Sequence, residues 1–160
     1  MTLRSFRSSL VALFAACALV ACGRPFTIET PDGFVDLGEG YDDSTHEYRA
    51  STVEGVILGA RAWKNDPKVT LAVAAQALES QVRLGQGAAL LEKKDVTARD
   101  GTKEVRMRFG HDEPGGSYLY DLTIFVTDDR VYVVEAVGKK ELFERATASI
   151  DWTLASFDPS

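Results

Sequence analysis

Cysteine is nearly missing from this 160-residue chain: the only two, Cys17 and Cys22, both lie near its start. Everything beyond Cys22 therefore has no thiol for a disulfide or a thiolate metal centre, and its stability has to come from its core. Histidine is as scarce, with His46 and His111 alone, which excludes a histidine-rich zinc site. No apolar run approaches the roughly 20 residues of a membrane-spanning helix, and the longest, Leu10 to Ala21, covers about a dozen. Positive charge is in deficit: 18 Lys and Arg against 24 Asp and Glu give a net charge of −6. That balance argues against nucleic acid as a partner. No tract is of low complexity and none repeats, so solenoids and long linkers are excluded.

What is present begins with Arg4 and Arg7, followed by the apolar stretch Leu10–Ala21. A basic start and a short apolar segment have the form of an export signal. Leu19-Val20-Ala21-Cys22 resembles the bacterial lipobox, in which an apolar residue and a small one lead to an obligatory cysteine. The resemblance implies that residues 1–21 are a lipoprotein signal peptide, in which Cys17 is apolar filler, and that Cys22 is the lipidation site. It also implies that residues 22–25 are the lipidated cysteine and a short tether, and the length of what remains, 26–160, points to a single domain. At about 0.8 kcal/mol per buried CH₂ one acyl chain holds marginally, whereas diacylglyceryl and a further palmitate-like chain hold firmly. The first expected partner is thus the membrane itself, through lipid on Cys22. Gly23 stands where a retained lipoprotein carries aspartate. By resemblance to sorting in double-membraned bacteria it points to the periplasmic face of the outer membrane in the cell envelope. Loss of Arg4 and Arg7 leaves the exported domain more acidic still.

The rest alternates between strand and helix patterns. Strands are expected at Phe26–Glu29, Phe34–Leu37, Glu47–Val53 and Gly55–Trp63, separated by turn formers such as Pro31-Asp32-Gly33. Asp66-Pro67 reads as an N-cap and first helical residue, and Leu71, Ala75, Leu78 and Val82 recur with helical spacing, so a helix is expected over Pro67–Leu84. Three strands follow at Ala89–Thr97, Lys103–Phe109 and Ser117–Val126, with His111–Gly116 as a loop. In Lys103–Phe109 one face carries Val105, Met107 and Phe109, and the other, expected to be wet, carries Glu104, Arg106 and Arg108. Val131–Val137 is apolar on both faces and reads as a central, doubly covered strand. Phe143, Ala146, Ile150, Leu154 and Phe157 form the stripe of a last helix, Lys139–Phe157. The predicted class is α+β, an antiparallel β-sheet flanked by helices.

The opening Phe-Thr-Ile-Glu-Thr-Pro-Asp-Gly-Phe, the mid-chain helix, the turn Arg99-Asp100-Gly101-Thr102, the run of strands ending at Val137 and the last helix closing in Ile150 and Phe157 resemble the PsbP-like α/β sandwich, including small lipoproteins of the DcrB type. The resemblance implies a binding or assembly factor rather than an enzyme, working with an envelope protein partner. It transfers no site residues.

A search for chemistry leaves little. His111-Asp112-Glu113 lacks the spacing of a calcium loop and reads as a solvated loop. Ser44 with His46, and Ser117 after Gly115-Gly116, lack the G-x-S-x-G elbow of a hydrolase, and Gly115-Gly116 lacks the Lys-Ser/Thr of a phosphate cradle. No catalytic, cofactor or metal residue is expected. Trp63, Tyr118, Tyr120, Tyr132 and Trp152 are read as packing residues, with the lining of a ligand groove as the alternative. Lys93-Lys94 and Lys139-Lys140 are read as solvated element ends. Two further functions remain open: a carrier of a small apolar ligand and a hydrolase without a recognisable motif.

Overall fold

The computed structural model describes residues 24–38, 45–97 and 101–159. Cys22 and the expected signal peptide lie outside the described residues, as do Ser44 and the turn residues Arg99 and Asp100. The chain order is β1 (Phe26–Thr27), β2 (Val35–Asp36), β3 (Tyr48–Ser51), β4 (Ile57–Lys64), α1 (Leu71–Gly85), β5 (Ala89–Thr97), β6 (Lys103–Glu113), β7 (Gly116–Val126), β8 (Arg130–Lys139), α2 (Lys140–Ser156) and β9 (Asp158–Pro159). One antiparallel sheet of seven strands has the order β2-β3-β4-β8-β7-β6-β5, and β1 with β9 makes a separate two-stranded ribbon.

The doubly apolar strand is β8, fourth of the seven. Its period-2 alternation sends Val131 and Val133 to one face, where they pack with Ala75 and Val82 of α1 and with Met107, Leu122 and Ile124. Tyr132, Val134 and Ala136 go to the other, against Phe143, Ile150 and Leu154 of α2. Each large side chain buried this way contributes about 1.5–3 kcal/mol, and with no described cysteine these two layers carry the stability. Phe26 and Phe157 close the α2 layer by ring contacts with each other and with Tyr132, at 5.3–6.4 Å between centroids.

Three expectations are corrected. The first helix begins at Leu71, not Pro67, because Thr70 is its cap and accepts from the Val73 amide. Buried Asn65 folds the preceding residues into a loop instead: its Oδ1 accepts from the Val69 amide at 2.8 Å and its Nδ2 donates to the Thr127 carbonyl at 3.0 Å. His111–Glu113 is strand rather than loop, since the β6–β7 ladder continues to Glu113 opposite Gly116 and leaves only Pro114 and Gly115 in the turn. Finally, the polar face of β6 is not simply wet. Glu104 is buried and receives Arg106 at 2.5 Å, while Arg108 grips Asp121 through two bonds of 2.8 and 2.7 Å beneath α2.

Candidate functional site

On the α1 face the helix covers β5, β6 and β7, and the polar residues gather where its cover ends, at β8 and β4. Glu135 of β8 is the centre. It shares its face with Val131, Val133 and Val137, and its cross-strand neighbour on β4 is Gly59. The missing side chain of Gly59 leaves room for the ring of His46: a Cβ there would sit 2.9 Å from His46 Cδ2 and 3.3 Å from Glu135 Cγ. His46 Nε2 bonds Glu135 Oε1. Because a carboxylate only accepts, Nε2 carries the proton, and the other ring nitrogen, Nδ1, meets Thr45 Oγ1 at 2.7 Å. Glu135 Oε2 accepts from the Tyr120 hydroxyl at 2.6 Å and lies 3.7 Å from Arg61 Nη2.

Burial works to raise the pKa of Glu135, but the hydrogen bonds from His46 and Tyr120 and the charge of Arg61 outweigh it and hold the carboxyl below its ordinary range. The Tyr120 phenol is pushed far above its ordinary value, first by burial and then by the negative charge of Glu135. Neither group is poised near neutrality, where a general acid or base works best.

Beside this cluster opens a cleft of about 400 Å³. Phe109, Tyr120 and Val137 come from the sheet, Gln86 and Ala88 from the end of α1, and His111, Glu113 and Tyr118 from the β6–β7 hairpin. Among the described residues only Tyr120 belongs to both cluster and cleft, and its hydroxyl is committed to Glu135.

No family model matches the chain, and no curated protein is similar to it in sequence. Solved structures do match. Cyanobacterial PsbP (CyanoP) from Synechocystis sp. PCC 6803 superposes with a TM-score of 0.58 at 9% identity, covering 85% of this chain and 87% of that one. The fold is PsbP-like. The same PsbP-like sandwich occurs in LpqN, involved in cell envelope biogenesis of Mycobacterium tuberculosis, with a TM-score of 0.66 at 11% identity over 84% of this chain and 83% of that one. Protein PA94 from Pseudomonas aeruginosa, of unknown function, matches at 0.53 and 10% identity over 88% of each chain. At these identities the likeness concerns the fold.

Within the PsbP-like frame the residues singled out in the sequence scatter. Tyr132 is core, whereas Trp63, with Arg61 5.9 Å from its ring, and Trp152 are exposed. Tyr118 and Tyr120 do line a groove. Ser117 pairs with Asp112 and so faces away from His111, which pairs with Tyr118; that serine and that histidine do not converge. His111 lies 3.7 Å from Glu113, and among the described residues no group of three potential ligands could hold a metal ion. Lys93 reaches Glu79 at 3.0 Å and Lys94 reaches Glu92 at 2.8 Å. Sequence reasoning found His46 and Tyr120 separately and missed Glu135 and Arg61. The available signal was Glu135 itself, the lone charge in the otherwise apolar Val131–Val137.

Proposed function

We propose that this chain is a membrane-anchored, non-catalytic binding or assembly factor of the bacterial cell envelope, held through lipid on Cys22 and engaging an envelope protein. The observation that carries the reading is the saturation of the Glu135 cluster: both carboxylate oxygens are occupied, and the carboxyl and phenol are driven in opposite directions away from neutrality. Such a cluster fixes a surface rather than moving protons. LpqN, with the same fold, is described as involved in cell envelope biogenesis, and the lipobox supplies an address to match. Gly23 favours the outer membrane.

The tether favours a partner at the same membrane. From Cys22 to Phe26 the chain reaches no more than roughly 14 Å, and Arg24, already bonded to Asp36 at 3.4 Å and lying 5.3 Å from the Tyr48 ring, takes part of that length. The test compares the native protein with a Cys22→Ser variant exported by an ordinary signal, and with a lipidated variant carrying about 30 flexible residues before Phe26. Intact mass should show lipid on the native chain, and crosslinking to an envelope protein should fall in both variants. An unmodified Cys22, or full crosslinking by the soluble form at equal abundance, refutes the reading. A second reading, a carrier of a small ligand, is favoured by the 400 Å³ cleft, whose size suits one.

A further inference from the structure

We propose that the cleft beside Tyr120 binds a small organic cation, a quaternary ammonium group on a compact apolar body. The proposal rests on the carrier reading of that cleft and assigns the chemistry of its ligand. Three features make the cleft attractive to positive charge. The Glu113 carboxylate stands at its exposed hairpin side, with its side chain 54% accessible. Gln86 and Ala88, which directly follow the last turn of α1, line it, so the negative end of the helix dipole lies against it. Tyr118 and Tyr120 supply phenol rings, whose π faces attract cations. Among the described residues no lysine or arginine lines the cleft, and its one histidine, His111, has Nε2 3.7 Å from Glu113 Oε1. Glu135 plays no part in this selectivity, because Arg61 and His46 already answer its charge.

Position points to a free ligand rather than a lipid headgroup of the anchoring membrane. Phe26, which follows the tether, packs on Tyr132 near the start of β8, whereas the cleft touches Val137 near its end. At about 3.3 Å per residue that separation is roughly 16 Å.

The test is an amide NMR titration. Its probes are choline, the neutral analogue in which carbon replaces nitrogen, and phosphatidylcholine vesicles. Choline should shift amides at Gln86, Ala88, Gly110–Glu113 and Tyr118, and should bind at least about fivefold tighter than the analogue. Glu113→Gln, on the exposed hairpin, should weaken choline about threefold or more while the spectrum elsewhere stays native. Tyr118→Leu should also weaken it. Equal binding of choline and its analogue overturns the cation assignment and leaves the carrier reading standing. Absence of cleft shifts with every probe overturns both. Binding of vesicles without free choline overturns the free ligand in favour of a headgroup.

Discussion

Tyr120→Phe isolates one bond of the Glu135 cluster. The substitution keeps the ring, 6.3 Å from that of Phe109, and deletes only the hydroxyl that donates to Glu135 Oε2 at 2.6 Å. A hydrogen bond to a charged acceptor contributes about 1.5–3 kcal/mol, and the carboxylate keeps His46 and the more distant Arg61. The expected loss at neutral pH is therefore about 2 kcal/mol, which moves a urea midpoint down by roughly 1 M for a slope of about 2 kcal/mol/M. Two pH signatures accompany it. Glu135 is depressed in the fold, so its stabilisation is present above the unfolded value of 4.5 and is lost as pH falls through the folded one. With one donor gone, the acid loss should begin at the same unfolded value but end at a higher pH and be smaller in total. Tyr120 is raised, so its contribution is full below the unfolded value of 10.0 and is lost as pH climbs above it. The phenylalanine variant should lack that alkaline decline. Urea unfolding followed by circular dichroism across the pH range measures all three effects. An unchanged midpoint at neutral pH together with an unchanged alkaline limb would falsify the view that Tyr120 and Glu135 are coupled in solution.

Gly59→Ala places a methyl group 2.9 Å from His46 Cδ2; expulsion of the ring should cost about 2 kcal/mol in urea unfolding and change the His46 resonances in NMR. Ile150→Asp puts an unpaired charge into the α2 layer, where Ile150 is 2% exposed, and should cost several kcal/mol, read as loss of cooperative melting. Thr70→Ala removes the cap of α1 and should cost about 1 kcal/mol by the same measurement, whereas Asp66→Ala should cost less than half of that.

The last helix was legible because its stripe of Phe143, Ile150, Leu154 and Phe157 has one strong period, and all four are buried. The central strand was legible for the same reason, since two apolar faces demand two covers. Helix starts were harder: both Asp66 and Thr70 are good caps, and the choice fell to Asn65, whose partners Val69 and Thr127 are set by a contact 62 residues away. The hairpin at Pro114-Gly115 reads as a longer loop in the sequence because charged residues in a ladder look like loop residues until a partner strand is known.

Sequence alone thus determined the α+β class, the two helices and their inward stripes, because periodicity is a property of neighbours along the chain. The resemblance of Leu19-Val20-Ala21-Cys22 to a lipobox is read there too, as an expected address rather than a fold. Only the tertiary structure decided which face each helix takes, and that His46, Arg61, Tyr120 and Glu135 meet. His46 and Glu135 are 89 residues apart, and their contact depends on the β4–β8 register that puts Gly59 opposite Glu135. A polar cluster assembled across strands has no local period, so its physical trace in the sequence is a single acidic residue in an apolar strand and a glycine in its neighbour.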